Sequence, residues 1–282
     1  MCRMLAMMGM PSTHSINTYE KMVSALVSSA YYDPYAKRIF GPKGSSHKHG
    51  WGRATLYLDS GNISYSIIKH MHPIYVKKPE IIPGNSVDSE YFKPFIIDLI
   101  HARAASPDTE VSIFNVQPFE FSTRTGEKLI IAHNGSVDKE RLVSEIGSLV
   151  PEGVANRYSD TFMLGQSLST ELGKSFDIST IKRYKEYVKS ALNLIAVLIA
   201  EGEIQVLFGS YFINADHAPY YRLYLKNERN SLIVSSSTAI DYYYDDDISS
   251  WIPINNGEFY IGKIKYGEGM AKLSELTKHS IL

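Results

Sequence analysis

The chain has 282 residues, 44% hydrophobic and 21% charged, with a formal net charge of -1. These values suit a globular protein with a sizeable core, and they exclude the basic excess of a nucleic-acid or anionic-membrane binder. Its only cysteine, Cys2, excludes an intrachain disulfide or a cysteine-only metal cluster, and a lone thiol fits a reducing compartment, so the cytoplasm is the expected location.

Met4 to Met10 reads as a strand ended by Gly9 and Pro11. A helix follows, with Asn17 or Thr18 as its cap and Tyr19, Met22, Val23, Leu26 and Val27 at helical spacing. "HGWGRATLYLDSGNISYSIIKH" reads as two strands joined by a turn at Asp59 to Asn62. "FIIDLIHARAAS" and "KLIIAHNG" are buried-strand signatures, the second ending in turn chemistry. "SVDKERLVSEIGSL" reads as a helix, a second starts at Ser159 and Asp160 and runs to Leu172, and a third is expected over Ile178 to Ala200. "EIQVLFG", "YRLYLK", "SLIVSSS" and "GEFYIGKIKY" read as strands. Strands, a helical middle and strands again indicate an α+β layered fold, expected as one domain over residues 2–282. No run reaches the roughly 20 apolar residues of a membrane helix, and the N-terminus lacks a signal-peptide pattern, so no membrane association is expected.

Cys2 stands directly behind the initiator methionine. If Met1 is removed, one residue carries a thiol, with a reference pKa near 8.5, and an α-amine at about 7.7–8.0. An amine in that range is a usable general base near neutral pH, so such a nucleophile needs no separate histidine. The plain alternative is a small buried hydrophobe near a terminus. "IIAHNGSVD" offers an oxyanion hole, because an Asn134 side-chain N–H and a Gly135 backbone N–H can point at one oxygen. The alternative is an ordinary Asn-Gly turn.

"IHARAASPD" puts Arg103 at the end of a buried strand, where its fork suits a carboxylate, with Ser106 able to add a hydroxyl. A structural salt bridge is the alternative. Asp160, at a helix start, is either an N-cap or the counter-ion of a substrate ammonium. "HGWGR" packs glycines around Trp51 and reads either as a cleft wall formed by Trp51 and Gly52 or as a strand with tight neighbours.

His47 with His49, and His70 with His72, have an i, i+2 spacing that puts each pair on one strand face. No acidic partners complete a metal site, so none is expected. The acidic stretch Asp241 to Asp247 reads as a solvated loop. "GPKGSS" lacks phosphate-loop spacing, so no nucleotide or other cofactor is expected.

The ordered set "MCR", "GWG", "HAR", "NVQPF", "AHNG" and "SDTF" resembles the class II, N-terminal-nucleophile glutamine amidotransferase domain in its compact stand-alone form. The resemblance covers about the first 165 residues. It implies a four-layer αββα sandwich of the N-terminal nucleophile hydrolase type and a glutaminase chemistry that runs through a γ-glutamyl thioester on Cys2. Carried over by motif, Cys2, Asn134 and Gly135 are catalytic. Arg103, Ser106 and Asp160 bind substrate, and His133 joins Trp51 and Gly52 near the cleft. The implied partners are glutamine or a γ-glutamyl small molecule, and an acceptor or synthetase subunit on another chain. Stand-alone relatives often read Thr-His-Pro-Phe where this chain has Val116 to Phe119, so a histidine is missing at Gln117. An amidohydrolase of γ-glutamyl conjugates and a non-catalytic binding protein on the same fold are the competing readings.

Overall fold

Strand β1 (Cys2–Gly9) is buried along its whole length. Met4, Ala6 and Met8 enter one apolar cluster, whereas Leu5 and Met7 enter another. A strand with a core on each face must lie in the middle of a layered fold. The structure, a computed structural model, describes residues 2–59, 61–80, 94–106, 109–147, 150, 153–228, 230–243, 248–266, 271–274 and 276–282.

After β1 come α1 (Thr13–Tyr31), α2 (Pro34–Phe40), β2 (Trp51–Asp59), β3 (Asn62–His70) and β4 (Phe95–Arg103). The middle of the chain forms β5 (Phe119–Ser122), β6 (Lys128–Val137), α3 (Lys139–Ile146), α4 (Val154–Arg157), α5 (Asp160–Glu171) and α6 (Ile178–Arg183). Next are β7 (Val188–Ala200), β8 (Glu203–Ser210), α7 (Ala218–Tyr221), β9 (Leu223–Glu228), β10 (Ser231–Ser236) and α8 (Ser237–Asp241). Strands β11 (Ile252–Pro253), β12 (Glu258–Lys265), β13 (Lys272–Leu273) and β14 (Thr277–Ser280) close the chain.

Two antiparallel sheets result. One has the order β11-β9-β10-β1-β4-β2-β3, the other β13-β12-β8-β7-β6-β5 with β14 also on β12. Met4, Leu56 and Leu99 from the first sheet meet Ile130, Ile195 and Phe208 from the second, which fills the space between them. Helix α1 covers the outer face of the first sheet with Tyr19, Met22 and Leu26. Burying each of these side chains contributes roughly 1.5–3 kcal/mol. Helix α5 covers the outer face of the second sheet through Met163, Leu164 and Leu168. The layers therefore run helix, sheet, sheet, helix, which is the expected αββα sandwich.

Three local expectations are corrected. The cap of α1 is Ser12, not Asn17 or Thr18: its hydroxyl accepts from the Ser15 nitrogen at 3.2 Å, and the Ser15 hydroxyl accepts from the Ser12 nitrogen at 2.7 Å. This reciprocal box starts the helix a full turn earlier. The third helix stops at Arg183, and Val188–Ala200 is strand β7. Leu192, Leu194, Ala196 and Leu198 face the helix-side core, while Ile195 and Val197 face the space between the sheets. Apolar demand on both faces erases the period-2 pattern, so the run imitates a buried helix. Asn134 and Gly135 do not end their strand in a turn. They pair with Asn193 and Leu192 of β7, and the register shifts only between Gly135 and Val137.

Candidate active site

Strand parity decides which side chains meet. In the antiparallel ladder Cys2 lies directly opposite Arg103, and Met4 opposite His101. Met4 belongs to the inter-sheet core, so Cys2, His101 and Arg103 all take the inner face. On β6 the inner face belongs to Ile130, Ala132 and, two residues on, Asn134. The two sheets accordingly bring Cys2 and Asn134 together, and the backbone nitrogen of Cys2 donates to Oδ1 of Asn134 at 3.0 Å. This bond leaves Nδ2 of Asn134 buried and without a partner among the described residues.

Gly135 fits where no other residue does. Its φ is +152°, and a Cβ there would stand 1.9 Å from the Ala191 carbonyl oxygen and 2.9 Å from Nε2 of His133. His133 turns to the other face of β6. Its Nε2 lies 3.0 Å from the Ala191 carbonyl and its Nδ1 3.0 Å from the Thr161 hydroxyl. A carbonyl only accepts, so Nε2 carries the proton and Nδ1 accepts from Thr161. Burial holds this ring below the usual histidine pKa, in keeping with a neutral strut between β6, β7 and α5.

Arg103 is buried, and only half of its fork is used. Nη2 donates to the Glu110 carbonyl at 3.1 Å, whereas Nη1 is buried and has no partner among the described residues. Asp160 begins α5, but the capping hydroxyl belongs to Ser159, which accepts from the Phe162 nitrogen. The Asp160 carboxylate accepts from the nitrogens of Val137 at 3.0 Å and Thr161 at 2.8 Å. Each of its oxygens keeps a further lone pair. Cys2, Arg103, Ser106, Gln117, His133, Gly135 and Asp160 line one cleft of about 20 Å³. Two larger hollows, of about 660 and 670 Å³, contain none of these residues.

Trp51 does not line the cleft. It lies opposite Ala102, on the outer parity of the sheet, and packs among Leu5, Tyr19 and Ile100 with its ring 4.7 Å from that of His70. Gly52 has the inner parity, opposite His101, and its missing Cβ makes room for the Gln117 carbonyl, which would lie 2.4 Å away. Gln117 fills the place of the absent histidine, and its Oε1 accepts from the His133 backbone nitrogen at 2.7 Å.

Searched against family models and curated proteins, the sequence matches none. Solved structures do match. One is glutamine phosphoribosylpyrophosphate (PRPP) amidotransferase from B. subtilis, complexed with ADP and GMP: 15% identical, TM-score 0.54, covering 100% of this chain and 49% of that one. Another is the allosteric regulatory enzyme of purine biosynthesis, 17% identical, TM-score 0.52, covering 100% and 49%. The chain has a glutamine amidotransferase fold. It spans about half the length of these two enzymes.

Within this amidotransferase fold the thiol is electrostatically prepared. Burial pushes the Cys2 pKa up, but the neighbouring His101 ring, the charge at the chain's N-terminus and the Ala104 backbone N–H together outweigh it and hold the thiol well below its usual value. His101 is fully buried, and neither ring nitrogen has a well-formed hydrogen bond among the described residues. The motif reading passed over its role, although its i, i+2 spacing to Arg103 on a strand already put both on one face. His49 accepts from the Ala105 nitrogen at 2.8 Å and steadies the segment after Arg103. His47 lies 2.9 Å from Asp33 instead, so the two histidines share no ligand. Among the described residues no group of three metal-ligating side chains forms, and no helix is long and apolar enough to cross a membrane. In the acidic stretch, Tyr244 to Asp247 lie outside the described residues.

A buried ionic cluster lies behind Cys2 on the outer face of the sheet. Arg3 Nε donates to Asp33 at 2.6 Å, and Nη1 donates to the Tyr220 carbonyl at 2.9 Å and to the Cys2 carbonyl at 3.4 Å. The guanidinium lies 3.9 Å over the Tyr220 ring. Nothing in the sequence marked Asp33 as the partner of Arg3, because α1 lies between them.

Proposed function

We propose that this chain is a glutamine amidotransferase domain of the N-terminal-nucleophile class that hydrolyses the side-chain amide of glutamine. The observation carrying this reading is the Cys2 nitrogen held 3.0 Å from Asn134, with Arg103 directly across the ladder from Cys2. With Met1 removed, the α-amine of Cys2 takes the thiol proton, directly or through a water. The thiolate attacks the amide carbon of glutamine, a C–S bond forms, and the carbonyl oxygen gains negative charge. Nδ2 of Asn134 and the Gly135 N–H stabilise that oxyanion. The intermediate collapses as the α-ammonium protonates the departing nitrogen, and ammonia leaves. Water, losing its proton to the same amine, attacks the γ-glutamyl thioester, and glutamate departs as the thiol reforms.

Nη1 of Arg103 takes the substrate α-carboxylate, with Ser106 beside it, and Asp160 takes the α-ammonium. The cleft has room for about one water, so substrate enters as its rim side chains give way. The ammonia is then available to an acceptor on another chain. Glutamate release from glutamine by the purified protein, together with an intact mass lacking Met1, tests the reading. Preference for γ-glutamyl conjugates over glutamine would shift it to an amidohydrolase. Retained Met1 in active, homogeneous protein would remove its base.

A further inference from the structure

Asn115 is fully buried, and both of its amide N–H groups and its carbonyl oxygen are hydrogen-bonded. Nδ2 donates to the carbonyls of Glu110 at 3.2 Å and Arg157 at 2.8 Å, while Oδ1 accepts from the Ser159 nitrogen at 2.6 Å. A primary amide has two N–H donors, and both are engaged here. The bonded groups belong to two separate segments. Glu110 lies in the loop after β4, and its carbonyl also receives Nη2 of Arg103. Arg157 and Ser159 bracket the turn into α5, and Ser159 caps that helix directly before Asp160. One side chain thus joins the carbonyl that aims the Arg103 fork to the turn that places Asp160. Arg103 and Asp160 line the same cleft.

We propose that Asn115 is a positioning residue that sets the spacing between Nη1 of Arg103 and the Asp160 carboxylate, and through it the recognition of a free α-amino acid. Asn115 touches no substrate. The proposal rests on the reading above, in which those two groups grip the substrate's α-carboxylate and α-ammonium. These charges sit on one carbon, so the receiving pair tolerates little change in separation, and a misplacement of about 1 Å is enough to cost orders of magnitude in rate. Alanine at position 115 removes all three bonds. Aspartate keeps an acceptor for the Ser159 nitrogen but turns a carboxylate oxygen toward two carbonyls.

The test is alkylation of Cys2, followed by intact mass. One probe is the glutamine-shaped diazoketone diazo-oxo-norleucine: its diazo carbon is protonated, Sγ bonds to that carbon, and dinitrogen leaves. The other is iodoacetamide, which carries neither α-charge. Asn115→Ala and Asn115→Asp are expected to slow diazoketone labelling at least about tenfold while iodoacetamide labelling holds its rate. Unchanged diazoketone rates would overturn the positioning role. An equal fall with both probes would overturn it as well, since that is what general loss of site structure produces. A native chain that reacts with iodoacetamide but never with the diazoketone would overturn the glutamine reading itself, and the proposal with it.

Discussion

The Cys2 backbone nitrogen and Oδ1 of Asn134 meet at 3.0 Å across the gap between the two sheets. The residues are 132 positions apart in the chain, and neither strand alone brings them close. The bond occupies only the Asn134 carbonyl oxygen, so both N–H groups of its amide stay available. It also ties the proposed base to the proposed oxyanion donor. Replacing Cys2 by serine keeps this backbone bond and exchanges sulfur for an oxygen that is far harder to ionise. Cys2→Ser is expected to lower kcat for glutamate release about a thousandfold or more, with an unshifted melting curve. Activity equal to the native chain would refute thiolate attack.

Of the two terminal nitrogens of Arg103, Nη2 is held by the Glu110 carbonyl and Nη1 has no partner among the described residues. A lysine carries its donors on one compact nitrogen and cannot hold that carbonyl and a carboxylate with the spacing of the guanidinium fork. Arg103→Lys should raise KM for glutamine about tenfold or more and leave kcat nearly unchanged, as loss of ground-state binding requires. Steady-state kinetics checks this. A fall in kcat at constant KM would place Arg103 in the chemical step instead.

At Gly135 a methyl group has nowhere to go, since the Ala191 carbonyl occupies its place. Backbone strain alone costs about 1–3 kcal/mol, before the clash is counted. Gly135→Ala should lower the melting temperature and suppress turnover more than it suppresses alkylation of Cys2. A variant with native stability and turnover would mean that β6 and β7 can separate there at little cost.

Acid should find the Arg3–Asp33 cluster. Burial pushes the Asp33 carboxyl up, yet the Arg3 guanidinium and the His47 hydrogen bond overcome it and hold the pKa well below the usual carboxylate range. The folded pKa is the lower one, so the unfolded chain takes up this proton first as pH falls. The resulting stability is complete above about pH 4 and is lost below it. Denaturant titrations from neutral into acid should show that loss, and Asp33→Asn should flatten it. At neutral pH the same change should cost about 3–5 kcal/mol, because Arg3 is left buried without its counter-charge. Parallel pH profiles for the two proteins would disprove the assignment.

Much of the layered plan was legible along the chain. Lys128 to Gly135 and Phe95 to Ser106 read as buried strands, and Tyr19, Met22 and Leu26 kept helical spacing, because each serves one local geometry. Val188 to Ala200 misled for the opposite reason, since its two faces serve two different cores. Alternation on strands held one more clue, passed over in the motifs: the i, i+2 relation of His101 and Arg103 needs no tertiary knowledge.

By itself, then, the order of residues determined most of the strands and an α+β layered plan, since these depend on local spacing, while the αββα arrangement and the candidate site residues came from the likeness of an ordered set of motifs to a known family. Only the tertiary structure decided that Trp51 turns away from the cleft, that Asn115 joins Arg103 to Asp160, and that Arg3 rests on Asp33. Those outcomes depend on register between strands and on segments closed over long loops, where a shift of one residue reverses every side chain.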